Sequence, residues 1–114
     1  MPNLKDKLRE DLSASMKQRD TSVTGVLRMA LAAISKEEVA GKQARELTDE
    51  EVQRVLTREV KKREEAAEAF DSAGRAEQAA SERQEAEILR RYLPEPLSDD
   101  ELAELVREGV EQVA

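Results

Sequence analysis

Apolar side chains recur every three or four positions along most of this chain, the spacing that places them on one face of an α-helix. The pattern predicts four helices, over about residues 3–19, 22–40, 49–73 and 75–93. The second segment has the widest apolar face, so we expect it to be the most buried helix. The sequence therefore predicts an all-α fold, with residues 1–93 forming an N-terminal four-helix bundle-like domain.

The third segment has the clearest start and stop signals. Thr48 and Glu51 stand three positions apart, as a capping box requires, and Leu47 and Val52 flank them at the spacing of a hydrophobic staple. Gly74 suits a left-handed residue just after the end of that helix. We therefore expect the third and fourth helices to form an antiparallel hairpin with its corner at Gly74.

The first two helices have weaker signals. Asn3 is predicted to cap the first helix, and Asp20 or Thr21 the second. Gly41 is predicted to follow the end of the second helix. Gly25 lies within that helix, where glycine costs about 1 kcal/mol relative to alanine. We interpret it as a point of close approach by a neighbouring helix.

A second capping box, Ser98 with Glu101, follows the proline pair Pro94 and Pro96. Apolar residues then follow at helical spacing: Leu102, Leu105, Val106, Val110 and Val113. We expect residues 97–114 to be the first helix of a truncated C-terminal helical tail domain.

Composition narrows the chemistry. Hydrophobic and charged residues each make up 39% of the chain, and only one Phe and one Tyr are present, so the core must be aliphatic. Cysteine and histidine are absent, which excludes disulfides, thiolate metal sites and a cysteine nucleophile, and removes the commonest general base. No apolar run reaches the ~20 residues of a membrane span, and no signal peptide is evident. We therefore expect a cytoplasmic protein that does not contact membranes.

The net charge of -7 is distributed unevenly. From Pro94 onward, seven acidic residues face one arginine, a balance of -6, whereas residues 1–93 carry 19 acids and 18 bases, a balance of -1. General attraction to nucleic acid is therefore not predicted, although a local basic face is compatible with this balance.

Three motifs in a fixed order point to a known family. The chain has Lys-Lys-Arg at 61–63, Phe-Asp-Ser-Ala-Gly-Arg at 70–75 and Tyr-Leu-Pro at 92–94. In this combination it resembles the GatB/YqeY-like family over nearly its whole length. The resemblance implies a helical bundle followed by a small helical tail. That tail is similar to the C-terminal domain of the B subunit of the glutamine-dependent aspartyl/glutamyl-tRNA amidotransferase, which helps to hold tRNA.

The same resemblance carries a functional label, carbon-nitrogen ligase with glutamine as amido-N-donor. It implies tRNA or tRNA amidotransferase components as partners. The residues themselves offer no catalytic constellation, no cofactor-binding motif and no metal site, so whether the chain is an enzyme stays open. The carboxylate pairs Glu64/Glu68 and Glu82/Glu85 could act as acid and base or as metal ligands. A di-iron carboxylate bundle normally uses Glu-x-x-His, however, and histidine is absent.

The candidate contact residues are basic: Arg54, Arg58, Lys61, Lys62, Arg90 and Arg91. The first four share one face of the third helix and could contact phosphates. The alternative interpretation is a solvated face balanced by neighbouring acids such as Glu50, Glu51, Glu64 and Glu65. Arg90 and Arg91 are expected mainly to interact with the C-terminal dipole of the fourth helix.

Four further residues have structural interpretations. Arg28, Arg63 and Arg83 lie near or within apolar stripes, and a buried arginine needs a carboxylate partner, so we predict structural ion pairs. Tyr92 is expected to pack its ring and keep its hydroxyl at the surface.

Two functions follow from the sequence. The first is a tRNA-associated accessory protein that acts by binding and not by its own catalysis. The alternative is a helical protein-interaction module with no nucleic-acid role, in which the acidic tail helix docks on a partner groove.

Overall fold

The computed structural model describes residues 3–94, and within that range it contains helices and no strand. The helices are α1 (Leu4–Lys17), α2 (Thr21–Glu38), α3 (Asp49–Ser72) and α4 (Ala76–Arg90). The all-α prediction is confirmed, and each helix lies within a few residues of its predicted position. The predicted tail helix with its Ser98–Glu101 box lies outside the described residues.

The start of α3 has the predicted capping box. The Thr48 hydroxyl accepts a hydrogen bond from the Glu51 backbone N–H at 3.2 Å, and the Glu51 carboxylate accepts from the Thr48 N–H at 3.1 Å. Two of the unpaired N–H groups at this helix start are thereby satisfied. Leu47 is half-buried against the core and Val52 is fully buried, as a hydrophobic staple requires.

The corner between α3 and α4 is a Schellman motif. Gly74 has a φ of 75°, and its N–H donates to the Asp71 carbonyl at 3.0 Å, while the Arg75 N–H donates to the Phe70 carbonyl at 2.8 Å. Glycine adopts this left-handed conformation without steric strain. The predicted hairpin corner is confirmed, and α4 returns along α3 in the most extensive helix–helix contact of the described chain.

The end of α1 uses the same motif with a different residue. Arg19 has a φ of 58°, and its N–H donates to the Met16 carbonyl at 3.2 Å, while the Asp20 N–H donates to the Ser15 carbonyl at 2.9 Å. A residue with a side chain is strained in this conformation by about 1 kcal/mol. Arg19 therefore occupies a position that the local backbone favours for glycine.

Two glycine predictions on α2 are wrong. The helix ends at Glu38, with Val39 as its C-cap. Gly41 does not adopt the left-handed conformation, because among the described glycines positive φ occurs at Gly74. Gly25 is exposed, and a Cβ built on it meets no atom within 4 Å. No other helix of residues 3–94 approaches Gly25, so packing within that range does not explain its lower helix propensity, about 1 kcal/mol relative to alanine.

Each helix contributes to a single aliphatic core. Its largest fully buried side chains are Leu8, Leu27, Ile34, Leu56, Leu89, Val26 and Val52. A leucine buried to this degree contributes roughly 1.5–3 kcal/mol. The expectation that α2 is the most buried helix is wrong, because α3 buries six side chains and α2 four. The longer α3 packs against α4 along the hairpin, while Met29 on α2 is 53% exposed.

A nearly buried ion pair joins three segments at one end of the bundle. Lys5 on α1 donates to both carboxylate oxygens of Glu38, at 2.7 and 2.9 Å, and the side chains are only 11% and 12% exposed. The Leu47 N–H also donates to Glu38, at 3.3 Å. These contacts, led by the bond from Lys5, lower the pKa of Glu38. The pairing spans 33 positions, so no local sequence pattern indicates it.

The Lys5–Glu38 pair can be tested by removing one partner. Lys5→Ala leaves the Glu38 carboxylate buried without its cation, and should lower the free energy of unfolding by about 3 kcal/mol. Lys5→Met combined with Glu38→Met removes both charges and should recover more than half of that loss. Urea unfolding near pH 7 gives both values. Equal losses in the single and double variants would contradict the pairing.

Tyr92 anchors the end of α4 to α1. Its ring packs against the core, as predicted, but its hydroxyl is not simply solvated, because it donates to Asp11 Oδ2 at 2.6 Å. Burial, followed by this bond and by the negative charge of Asp11, raises the pKa of the Tyr92 phenol. The contact joins residues 81 positions apart and connects the segment after α4 to the middle of α1.

The phenol gives a direct optical test, because Tyr92 is the single tyrosine and tryptophan is absent. In urea its absorbance at 295 nm should titrate near the ordinary value of about 10. In the folded protein ionisation should occur at higher pH. A raised native pKa means that this contribution to stability is fully present below about pH 10 and is lost as the pH rises towards the native pKa. Asp11→Ala should move the native titration back towards 10, and identical curves for native and unfolded protein would contradict the bond.

Candidate functional site

Three of the predicted contact residues lie on the solvent side of α3. Arg54, Arg58 and Lys61 are exposed, on the face opposite the buried Val52 and Leu56. Arg54 and Lys61 have no carboxylate within 4.0 Å among the described residues. Their charges are therefore not neutralised by an ion pair in this part of the protein.

Arg58 and Lys62 complete the basic face of α3 that the sequence predicts, and both form ion pairs. Arg58 Nη2 lies 2.9 Å from Glu37 Oε1 on α2, and Lys62 Nζ lies 3.2 Å from Glu59 Oε2. The sequence predicts other acids as the balancing charges: Glu50, Glu51, Glu64 and Glu65. For Arg58 and Lys62 this prediction is wrong. Glu51 and Glu64 pair instead with Arg45 and Arg90. The cross-helix partner of Arg58 depends on how α2 packs beside α3, which helical spacing alone does not reveal.

Arg90 and Arg91 are not brought to the same place as Arg54. Arg90 forms an ion pair with Glu64 across the hairpin, and a second with Glu87 at 3.4 Å. Glu64 is ten residues, about 15 Å, further along α3 than Arg54. Arg91 is exposed and lines a separate cavity together with Tyr92. The six candidate residues therefore do not form one continuous surface.

A groove lies where the end of α2, the following loop and the start of α3 meet. Its volume is about 550 Å³, and it is lined by Glu37, Arg45, Leu47, Glu51, Arg54, Val55, Thr57 and Arg58. Leu47 and Val55 supply apolar surface, and three arginines outnumber two glutamates. We call it the α3 groove. It is an open, positively charged recess with an apolar part.

Arg45 contributes to the α3 groove and was missed by sequence reasoning. Its guanidinium forms a two-pronged ion pair with Glu51, with Nη1 2.9 Å from Oε1 and Nη2 bonded to Oε2. The bond from Arg45, together with the N–H of Thr48, lowers the pKa of Glu51 to about 2. Arg45 lies in a loop without helical periodicity, so no spacing signal connects it to the residues of α3.

Two comparisons with known proteins find relatives of this chain. A family model for YqeY-like proteins matches residues 5–114. This chain belongs to the YqeY-like family. A relative in Schizosaccharomyces pombe, itself uncharacterized, is 38% identical over 100 residues, which span 87% of this chain and 79% of the relative.

The three arginines predicted to form structural ion pairs have different outcomes. Arg63 is buried and contacts the Glu59 carboxylate at 3.3 Å. Arg83 pairs with Asp71 across the hairpin. For Arg28 the prediction is wrong, because this YqeY-like chain exposes it on the solvent side of α2, where its Nη2 lies 3.8 Å from Met16 Sδ.

Two further properties concern residues 3–94 alone. No three acidic side chains in that range converge in a way that would hold a metal ion. None of the helices there is both apolar and long enough to cross a bilayer. The Glu82/Glu85 pair does have a perturbed member: burial, followed by repulsion from Glu82, raises the pKa of Glu85.

The Arg45–Glu51 pair predicts a pH dependence. Since the native pKa of Glu51 is low, its contribution to stability should be present above the unfolded value of about 4.3 and be lost as the pH falls towards 2. Carboxyl-carbon NMR titration of Glu51 measures the native value. Arg45→Gln should raise it more than Thr48→Ala does, because the arginine is the largest cause of the shift. A larger effect of the threonine change would contradict this assignment.

Proposed function

We propose that this protein is a tRNA-associated accessory protein that binds the phosphate backbone of tRNA and performs no bond-making step itself. The observation that carries the proposal is the pair of exposed cations, Arg54 and Lys61, that have no carboxylate partner in the described chain. Membership of the YqeY-like family supports tRNA as the polyanion, through the resemblance to the tail of the amidotransferase B subunit.

The α3 groove supplies further cations that a phosphate could recruit. The Arg58–Glu37 pair is solvent-exposed, with side chains 59% and 43% accessible. Exposed pairs of this kind contribute only about 0–1 kcal/mol. A phosphate oxygen can therefore replace the Glu37 carboxylate at little cost, and guanidinium groups suit phosphate because they donate two parallel hydrogen bonds.

The charge balance supports a local contact surface. Residues 1–93 carry a net charge of only -1, so binding cannot arise from general attraction. The proposal also follows from the lack of nucleophile chemistry, since glutamine hydrolysis needs an activated nucleophile and the sequence has neither cysteine nor histidine. We therefore assign binding to this chain and the amide-transfer chemistry to partner subunits.

The proposal predicts salt-sensitive tRNA binding that depends on Arg54. Fluorescence anisotropy with a labelled tRNA transcript should show an affinity that falls steeply between 50 and 200 mM salt, as counterion release requires, by about an order of magnitude or more. Arg54→Glu should weaken binding at least about tenfold at the lower salt, the effect of one lost charge-assisted hydrogen bond. It should also reduce the slope of log affinity against log salt by about one.

The matched control is Arg75→Glu, which makes the same charge change at the hairpin corner. That residue is exposed and lies about 30 Å from Arg54 along α3. It should change affinity less than threefold. Absence of tRNA binding by the native chain, or equal losses in the two variants, would contradict the proposal. Capture of amidotransferase subunits without tRNA would instead favour the helical interaction module.

A further inference from the structure

Arg19 and Gly25 line the same groove, and each is a residue type that is unfavourable for its own backbone conformation. Arg19 is left-handed where the Schellman motif favours glycine, and Gly25 lies in an exposed helical turn where alanine is favoured. Neither choice is explained by packing, because both residues are exposed. Residues that lower stability locally are expected mainly at functional sites. Two such residues in one groove therefore make the corner between α1 and α2 a candidate site.

The groove at this corner is cationic. It has a volume of about 480 Å³ and is lined by Met16, Arg19, Thr21, Thr24, Gly25 and Arg28. Among residues 3–94, no carboxylate lines it. Asp20, the adjacent acid in the sequence, lines the cavity beside Tyr92 instead, and its side chain accepts from the Val23 N–H at 3.2 Å.

Within residues 3–94, no acid is paired with the cations of this groove. Arg19 and Arg28 have no carboxylate within 4.0 Å in the described part of the chain, and neither does the neighbouring Lys17. The one side-chain contact of Arg28 is with Met16 Sδ, at 3.8 Å, and thioether sulfur is a weak acceptor. In the α3 groove, by contrast, two of the three arginines already pair with glutamates.

We propose that this corner, the α1–α2 groove, is a second RNA-binding site that receives the sugar-phosphate backbone. The inference rests on the proposed function and adds a contact surface that the α3 groove does not provide. Two guanidinium groups can each donate paired hydrogen bonds to phosphate oxygens. The missing side chain at Gly25 lets a backbone approach the helix closely, and Thr21 supplies a hydroxyl at the edge.

An RNA backbone fits these features better than an acidic peptide does. A peptide helix would need apolar surface in several successive turns, and among residues 3–94 Met16 is the only large apolar side chain that lines the groove. Phosphates need cations and close approach, which Arg19, Arg28 and Gly25 provide. Binding of an acidic peptide is therefore the outcome that would contradict the assignment.

The strained arginine gives an unusual test, because stability and binding should change in opposite directions. Arg19→Gly relieves the left-handed strain, so the full chain should melt about 4 °C higher. It also removes a phosphate contact, so tRNA affinity at 50 mM salt should fall about tenfold. A residue with only a structural role would not combine these two effects.

Three further variants, at Arg28 and Gly25, keep the test independent of folding. Arg28→Gln, at an exposed residue, should weaken tRNA binding about tenfold without lowering the melting temperature by more than 2 °C or so. Gly25→Leu should fill part of the α1–α2 groove with a side chain and weaken tRNA binding. Gly25→Ala should raise the melting temperature and weaken tRNA binding less. Comparing the tRNA affinities of the Gly25→Leu and Gly25→Ala variants separates the effect of filling the groove from the effect of higher helix propensity.

The outcomes distinguish this inference from the function on which it rests. No tRNA binding by the native chain contradicts both. Binding that is weakened by Arg54→Glu but unchanged by Arg19→Gly and Arg28→Gln contradicts the α1–α2 groove alone. Displacement of labelled tRNA by a poly-glutamate peptide, with loss of peptide binding in Arg28→Gln, would assign the groove to an acidic protein and overturn its RNA role.

Discussion

The four helices are held together by one thin layer of aliphatic side chains, and much else in the structure follows from that constraint. With one Phe and one Tyr in the whole chain, the layer consists of leucine, isoleucine, valine and alanine from all four helices. Alanines buried on α3 and α4 allow close approach, but each removes little apolar area from water. Polar contacts at the edges of the layer therefore matter more here than in a larger domain.

Two such contacts close the layer at its edges. Glu38 joins α1, the end of α2 and the loop before α3 through Lys5 and the Leu47 N–H. Tyr92 joins the end of α4 to Asp11 on α1. Both fix α1, whose contacts with α3 are fewer than those of α4.

The charged side chains of residues 3–94 divide into those that form ion pairs and those that do not, and the proposed function depends on the second group. Many cations of the described chain are matched by acids, which explains why a nearly neutral bundle need not attract polyanions generally. The cations without an acidic partner among residues 3–94, including Arg19, Arg28 and Arg54, are spread over several helices and turns. The proposed contact with tRNA phosphates is therefore local, and it should be sensitive to ionic strength.

The sequence predicted what depends on local chemistry. The capping box at Thr48, the Gly74 corner and the helical periodicity all act within a few residues, and they appear where expected. Features that depend on which helix faces which were missed: the Lys5–Glu38 pair, the contribution of Arg45 and the exposure of Arg28. Periodicity defines the apolar face of a helix, but not the neighbour that covers each edge.

The same limit explains the error at Gly25 and the omission of Arg19. A glycine inside a helix can indicate close packing or an open surface, and only the absence of neighbouring atoms decides between them. Nothing in the sequence indicated that Arg19 would be left-handed, because glycine is the usual residue there. The candidate contact residues were thus predicted only in part: those on α3 were named, whereas at the α1–α2 corner Arg19 was not named and Arg28 was predicted to form a structural ion pair.

The measurement that most directly tests the single-layer account is the unfolding of Leu56→Ala. Leu56 is fully buried in α3, and its loss should lower the free energy of unfolding by about 3 kcal/mol. Urea unfolding followed by far-ultraviolet circular dichroism and by Tyr92 fluorescence should show coincident transitions, since Tyr92 packs on the same core. A loss below about 1 kcal/mol, or separate transitions for the two signals, would contradict a single shared core.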